Sequence, residues 1–471
     1  MVDRCDLVIV GMGSGGMVAA EFAATLDLKV AVAERGRVGG DCLWTGCVPS
    51  KTAIASGKVA HHMRHADEWG LEPAPPRVDR ARVWERIRAV QQDVASTDDN
   101  PQRFVELGLD LVYGAARLTG PNTVVVKTET GDRELQTRYI LLCTGSRPAV
   151  PDIEGLESVG FVTSETLFEL TDPPATFVNI GGGPIAVEMV QAFTRLGMPT
   201  TLLQKGPRIL PRDEPALVDI LVERLRAEGV DLRFNVQTSR VSRRGDKKVV
   251  EGTEDGQPAT WEADEILVAV GRQPNIDDLG LEELAIETGP KGVTVDNRGR
   301  TTVDTVYACG DVAGRHLFTH SAAYEGVRAV RDMFFPGKGK VVASVPWCTF
   351  TDPELAHAGM TEAEARSAYK DDVEVWRQDL VHNDRARADN ATDGAILVIT
   401  HKSRVVGAHI LAPAAGEMIH EFALAIAEDV KLSELSQFMH VYPTVSTSVG
   451  QLAGEAAFEK AEKLRWLVKR K

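Results

Sequence analysis

The sequence predicts an α/β chain built on two βαβ units, with a separate α+β domain at the C-terminal end. Three observations predict it. The apolar run 7–10 stops at Gly11-Met12-Gly13-Ser14-Gly15-Gly16. A helix-like stretch to about Leu26 and a second apolar run, 29–33, then lead to Glu34. The pattern returns at 177–180, which leads into Gly181-Gly182-Gly183-Pro184-Ile185-Ala186-Val187-Glu188, a helical stretch to about Leu196 and a strand at 200–203. From about Ser344 strands and helices mix without a third glycine loop.

Each βαβ unit carries the spacing of a Rossmann-like dinucleotide fingerprint. The glycines permit a tight turn and close backbone approach to a pyrophosphate, and the helix that follows opens its N-terminus to it. Two such units imply two dinucleotides, most simply a bound flavin and a diffusible nicotinamide. Gly11, Gly13, Gly16 and the strand-end acid Glu34 belong to the first unit. Gly181 and Gly183 belong to the second, where Ala186 replaces a glycine and crowds the helix–strand approach. The strand end that would carry a ribose-binding acid reads Gln204-Lys205 instead. Loss of the carboxylate removes repulsion toward a 2′-phosphate, and Lys205, with Arg208 nearby, supplies positive charge. NADPH is therefore favoured slightly over NADH.

Between the units, residues 52–69 and 80–106 read as helices separated by the breaker-rich Glu72-Pro73-Ala74-Pro75-Pro76. Hairpin-like strands fill roughly 109–143. The run Glu265-Ile266-Leu267-Val268-Ala269-Val270-Gly271-Arg272 closes the second unit, and 303–311 returns to the first. The last part holds an irregular strand after Ser344 and an amphipathic helix from Glu362 to Tyr369. Strands near 373–380 and 395–401 and a long helix around 415–427 complete it.

The chain has 471 residues, too many for one core. Its net charge of -15 argues against nucleic acid and anionic membranes as partners. No apolar run reaches 18 residues, so no membrane insertion is expected. The N-terminus enters a strand at once and lacks the form of a signal peptide. Six scattered cysteines make no disulfide framework and fit a cytoplasmic location with one special pair.

That pair is Cys42 and Cys47, in Gly39-Gly40-Asp41-Cys42-Leu43-Trp44-Thr45-Gly46-Cys47-Val48-Pro49-Ser50-Lys51. A helix entrance can present residues five apart to one another, and aligned amides favour a thiolate there. Two structural cysteines are the alternative. Cys5, Cys143, Cys309 and Cys348 are expected to fill core space. Lys51 lies four residues beyond Cys47 on the same helical face. Glu188 opens the helix after the second glycine loop, so the two opposite charges could orient and tune a flavin.

On these residues the chain resembles the flavoprotein disulfide reductases of the lipoamide dehydrogenase, glutathione reductase and mercuric reductase group. The resemblance runs nearly end to end. Its markers are Gly40-x-Cys42-x4-Cys47-Val48-Pro49-Ser50-Lys51, Thr144-Gly145-Ser146, Gly181 to Glu188, Gly271-Arg272-x-Pro274-Asn275, Cys309-Gly310-Asp311 and Phe350-Thr351-Asp352-Pro353-Glu354. It implies a discontinuous FAD domain with its central region (1–150 and 271–343), an NAD(P)H domain (151–270) and a C-terminal dimerisation domain (344–471). FAD would contact Gly11, Gly13, Gly16, Glu34, Gly40, Thr144, Gly145 and Asp311. Gly181, Gly183, Glu188, Gln204, Lys205 and Gly271 would serve the nicotinamide dinucleotide. Cys47 would be the thiol nearest the flavin, Cys42 the interchange thiol, and Lys51 would pair with Glu188. No resident metal is implied.

The pattern breaks at His440-Val441-Tyr442-Pro443-Thr444. Disulfide-reducing members place a histidine before the proline and a glutamate a few residues later. Here Tyr442 and Thr447 stand at those positions, and a phenol is a poor base near neutrality. His440, two residues before Tyr442, is expected to be a satisfied core or interface histidine. The extra C-terminal cysteine pair and the N-terminal Cys-x-x-Cys domain of mercuric reductases are also missing. The expected activity is an NAD(P)H oxidoreductase that passes electrons through Cys42–Cys47 to an unusual acceptor: mercuric ion, a quinone or another electrophile. Alternatives are dihydrolipoamide dehydrogenase or another disulfide reductase, and a non-catalytic FAD-binding redox scaffold. A homodimer is expected, with Tyr442 facing the partner's thiol site.

Overall fold

The computed structural model describes residues 3–337 and 344–468. The expected boundary between 343 and 344 adjoins residues 338–343, which lie outside the described residues.

The first βαβ unit nucleates a seven-stranded sheet. Its order is Asp110–Tyr113, Val30–Glu34, Asp3–Val10, Gly131–Leu142, Thr123–Thr128 and Ala115–Gly120. The 12-residue strand Gly131–Leu142 is the hinge of the arrangement. One edge pairs in parallel with Asp3–Val10. The other edge takes Thr123–Thr128 antiparallel over 131–136 and the distant strand Val306–Ala308 in parallel over 140–142. The return of the chain after the second unit is therefore real. Only part of 109–143 is a hairpin meander, because Asp110–Tyr113 pairs in parallel with Val30–Glu34. Leu7, Val8 and Ile9 are fully buried, as expected for a strand covered on both faces.

The second unit forms a four-stranded parallel sheet in the order Asp231–Arg233, Thr200–Leu203, Phe177–Ile180, Glu265–Val268, beside a three-stranded antiparallel sheet over 236–263. Ala186 causes no conflict. It is fully buried in the same cluster as Leu202, so a methyl fills the helix–strand contact.

Two helix expectations are corrected. The first helix starts at Cys47, five residues early, and ends at Arg64, with a separate 3-10 turn at Ala66–Trp69. Pro49 is tolerated there because first-turn amides need no partner within the helix. The second is two helices, Arg80–Ser96 and Pro101–Glu106. Asn100 breaks the run by capping Gln102 N through its side chain (2.9 Å), with Pro101 at the first helical position.

The C-terminal part is a five-stranded antiparallel sheet, ordered Trp347–Thr349, Glu354–Gly359, Arg404–Ala412, Ala395–His401, Val373–Asp379. Helices Ala415–Ala427 and Thr447–Lys463 pack on it around Phe422, Ile410 and Leu452. The sequence reading missed Arg404–Ala412 and Thr447–Lys463.

His357 and His409 are paired across this sheet, with rings 4.5 Å apart. Burial lowers both from an ordinary value of 6.5, His357 to about 3 and His409 to about 4. The unfolded chain takes up protons below pH 6.5 while the folded one stays neutral. Stability is therefore unaffected by this pair above that pH and falls as pH drops from 6.5 toward 4. We expect the denaturation midpoint to fall less between pH 7.5 and pH 5 in His357→Gln than in the wild type. Equal losses in both proteins would remove His357 as a source of the acid sensitivity.

Candidate active site

The two glycine loops, the thiol pair and the strand ends open onto one cleft of ≈ 2430 Å³. Its first wall is made by Gly11 and its neighbours. Gly11 has φ +100, and a Cβ there would stand 2.4 Å from the Cys143 carbonyl oxygen. Gly40, at φ +55, approaches Gly13 so closely that a Cβ would stand 2.7 Å from its Cα. The dinucleotide loop and the thiol-bearing segment are thus pressed together, and only glycine fits the contact. The helix Ser14–Ala24 has no side-chain cap. Its first amides are left for an anion such as a pyrophosphate. Glu34 accepts from Met12 N and Gly36 N, both at 2.6 Å, which fixes its carboxylate at the strand end.

The opposite rim is cross-tied. Thr144 Oγ1 donates to Asn275 O (2.7 Å), and Asn275 Nδ2 returns a bond to Thr144 O (2.9 Å). Ser146 Oγ donates to Asp311 Oδ2 (2.5 Å), and Arg272 donates to Ser146 Oγ and to Asp41. Burial pushes the Asp311 carboxyl upward, partly offset by the Ser146 bond and Arg272. Gly145 and Gly271 both have positive φ and open space where a Cβ would be. These residues, drawn from three distant parts of the chain, fit the FAD requirement: an uncapped helix, a fixed carboxylate and side-chain-free approach.

The second loop repeats the design. The helix Pro184–Arg195 follows Gly183 with no side-chain cap, and the Gly183 Cβ position faces open space. Gln204 lies against Gly182, with its Nε2 donating to Arg208 O (3.0 Å). Lys205 is exposed on the cleft rim.

Cys42 sits in the short helix Gly40–Trp44, and Cys47 starts the helix Cys47–Arg64. Both are unbridged thiols. The Cys42 thiol donates to Cys47. That bond draws Cys47 down to about 6, helped by Thr319 and Lys51 against burial. The same bond and burial push Cys42 far above the thiol range. The proton stays on Cys42 and the thiolate forms at Cys47, at the helix N-terminus where aligned amides favour it. Lys51 Nζ reaches Glu188 Oε2 at 2.8 Å and lies 4.3 Å from the Phe350 ring centre. Glu188 Oε1 accepts from Phe350 N (2.9 Å). The expected Lys51–Glu188 pair therefore forms, with the carboxylate only 6% exposed.

Residues 5–326 match the family model described as pyridine nucleotide-disulphide oxidoreductase, and residues 345–453 match that family's dimerisation domain. The chain belongs to the pyridine nucleotide-disulphide oxidoreductases. Relatives of this disulphide oxidoreductase include the mercuric reductase of Lysinibacillus sphaericus, 32% identical over 94% of this chain and 81% of that protein. The dihydrolipoyl dehydrogenase of Bacillus subtilis (strain 168) is 33% identical over 96% of this chain and 95% of its own length. Among solved structures, LpdA from Mycobacterium tuberculosis superposes with a TM-score of 0.88 at 27% identity, covering 97% of this chain and 100% of its own. The Cu(II) complex of the HOCl-induced flavoprotein disulfide reductase RclA from Escherichia coli gives 0.84 at 27% identity, covering 96% and 99%. The family is FAD-dependent and uses NAD(P)H, and its members are enzymes. No helix among the described residues is long and apolar enough to cross a membrane.

The disulphide oxidoreductase departs from the sequence reading in three places. Cys348 packs against the core of the C-terminal part as expected, yet it is only half-buried and also lines the cleft, because its strand lies at the sheet edge facing the second unit. His440 does have a carboxylate partner: its Nε2 lies 3.1 Å from Glu421 Oε1. The partner comes from the helix Ala415–Ala427, so no local motif could reveal it. Thr319 contacts Cys47 Sγ at 3.3 Å and carried no signal in the chain. Tyr442, 70% exposed, donates to Asp384 Oδ2 (3.0 Å), and that bond raises its pKa.

Proposed function

We propose that the chain oxidises NAD(P)H and passes the electron pair through Cys42–Cys47 to an acceptor other than a conventional disulfide. A mercuric ion, a quinone or another electrophile fits this requirement. FAD supplies the two-electron redox chemistry that links nicotinamide and thiols. Gly11, Gly13, Gly16, Glu34, Gly40, Thr144, Gly145 and Asp311 would hold it, within the 1–150 and 271–343 portions of the chain. The 151–270 portion would hold the nicotinamide dinucleotide. Cys47 is the thiolate of the pair and Cys42 the thiol that meets the acceptor. Lys51, fixed by buried Glu188, supplies positive charge beside the thiolate and the flavin cleft.

The observation that carries the choice of acceptor is Tyr442. Its phenol is bonded to the carboxylate of Asp384, which disfavours ionisation. It can donate a hydrogen bond but cannot cycle a proton near neutrality as an imidazole does. A mercuric ion or a quinone does not need the same histidine-mediated proton transfer as a disulfide. A steady-state acceptor panel with both nicotinamides tests this: lipoamide, glutathione disulfide, quinones and mercuric ion. Efficient turnover of lipoamide above all others would overturn it. Dihydrolipoyl dehydrogenase is the second reading. The His440–Glu421 pair favours it, since an imidazole–carboxylate couple lies two residues from the expected place.

We further propose a homodimer in which Tyr442 faces Cys42 of the partner subunit. Support comes from the dimerisation-domain match and from a run of exposed side chains: Phe438, Met439 (97% exposed), Val441 and Tyr442. Such a contiguous apolar patch calls for a covering surface. Tyr442→Phe should slow reoxidation of the reduced enzyme by its acceptor about tenfold. Flavin reduction by NAD(P)H, followed by stopped flow, should be unchanged. No effect with any productive acceptor would leave Tyr442 an interface packing residue.

NADPH is preferred to NADH in this reading, on Lys205 and Arg208 beside the uncharged Gln204. Lys205→Glu should lower kcat/KM for NADPH roughly tenfold through charge repulsion while sparing NADH. A wild-type enzyme with clearly larger kcat/KM for NADH would refute the preference. Six scattered cysteines that make no disulfide framework suit the reducing cytoplasm, where we place the protein.

A further inference from the structure

Thr319 lies 272 residues from Cys47 in sequence, yet its Oγ1 is 3.3 Å from the Cys47 sulfur. It is the first residue of the 16-residue helix Thr319–Phe334. That helix is clamped onto the first nucleotide-loop helix. A Cβ on Gly326 would stand 2.6 Å from Gly15 O, and one on Gly15 would stand 3.2 Å from Ala322 O. Glu325 of the same helix accepts from Gly310 N at 2.8 Å, and Ser321 Oγ donates to His316 O. Backbone contact through two glycines leaves no slack, so the hydroxyl is presented at a set position. Cys47 is fixed from its own side by the short Gly40–Gly13 contact and by the start of its helix.

We propose that Thr319 is a positioning residue whose hydroxyl donates a hydrogen bond to the Cys47 thiolate and holds that sulfur in its reactive state and orientation. This rests on the reading of Cys47 as the thiolate of the pair. A hydrogen bond to an ionised acceptor is stronger than one to its neutral form, so the hydroxyl favours the charged sulfur. The other groups that act on Cys47 are Cys42, Lys51 and Glu188, and Asp99 acts on Cys42. All of them remain in a Thr319 variant.

The test uses FAD-loaded enzyme reduced with dithiothreitol. Thr319→Val keeps shape and removes the donor; Thr319→Ser keeps the donor. The rate at which iodoacetamide modifies Cys47 is followed against pH by peptide mass spectrometry. The pH midpoint of the long-wavelength thiolate–flavin absorbance is read in parallel. We expect Thr319→Val to raise the Cys47 midpoint by about one pH unit, from about 6 to about 7, which leaves about half the thiolate at pH 7 and about tenfold less of it well below pH 6. Thr319→Ser should restore it to within a few tenths. Thr319→Ala provides a second donor-free variant should the valine lower FAD content. An unchanged alkylation midpoint in Thr319→Val or Thr319→Ala, or a serine variant that behaves like valine, overturns the proposal. A long-wavelength band that survives Cys47→Ser instead overturns the assignment of Cys47, while the alkylation profile still judges Thr319.

Discussion

Cys47→Ser abolishes the long-wavelength absorbance that one equivalent of NAD(P)H produces in the wild type, and acceptor turnover falls by about a thousandfold or more. The reason is the charge state of the sulfur. Cys47 is drawn down to about 6 by the Cys42 bond, the Thr319 hydroxyl and Lys51, so it is mostly thiolate at neutral pH. A serine hydroxyl stays protonated in the same place and forms no bridge to Cys42. Cys42→Ser should behave differently. The serine can still donate to Cys47, so the absorbance is retained while the route to the acceptor is lost. Titration with NAD(P)H under anaerobic conditions, read by absorbance, distinguishes the two. A band retained in Cys47→Ser and lost in Cys42→Ser would reverse the assigned order of the thiols. The band should also fade in the wild type as pH falls through about 6, because protonation removes the thiolate.

Arg195→Met destabilises the protein by about 3–5 kcal/mol, the range for removing one partner from a buried ion pair. Arg195 is 4% exposed and forks between two carboxylates. Nε and Nη2 reach Glu228 at 2.7 and 2.6 Å, and Nη1 reaches Asp352 Oδ2 at 2.7 Å. Asp352 also accepts from Lys58 at 3.1 Å, and Glu228 from Arg224 at 2.7 Å. Without the guanidinium, two half-satisfied carboxylates remain in a low-dielectric setting. Burial pushes the Asp352 carboxyl up, but Arg195 and Lys58 overcome it and hold it at about 2, below the ordinary 3.8. Its stabilisation is present above pH 4 and is lost as pH falls through 2. In Arg195→Met that loss should begin at higher pH. Urea denaturation of the FAD-loaded protein at pH 7.5 and pH 4.5 measures both effects. A change below about 1 kcal/mol would mean that the network contributes little beyond what water would give these charges. The same network joins the Cys47–Arg64 helix to the Pro184–Arg195 helix, which carry Lys51 and Glu188. The variant should therefore also show a looser Lys51–Glu188 pair, seen as slower flavin reduction.

Both expectations depend on features of different legibility. The thiol pair could be read from the chain because its chemistry is local. Cys42, Cys47 and Lys51 lie within ten residues, in a segment whose glycines and helix start set their relation. The glycine loops were legible for the same reason, since a turn at positive φ and a following helix are short-range events. The helix start at Cys47 and the break between Ser96 and Pro101 were misplaced. Capping by Asn100 and tolerance of Pro49 decided them, and the periodic pattern does not encode either. The strand Arg404–Ala412 was missed because it is buried almost throughout, so it shows no alternation of apolar and polar residues.

The chain alone therefore settled the two dinucleotide units, the thiols, and the phenol that stands before Pro443. Each is written in neighbouring residues whose backbone geometry leaves few alternatives. Tertiary structure decided the rest. It brought Thr319 to Cys47 across 272 residues, Glu188 to Lys51 across 137, and Glu421 to His440 from another element. It also gathered Arg195, Glu228 and Asp352 into one buried network. These partners are fixed by which helices and strands pack together. Packing depends on the fit of whole surfaces, such as Gly15 against Gly326, and no spacing along the sequence records that fit.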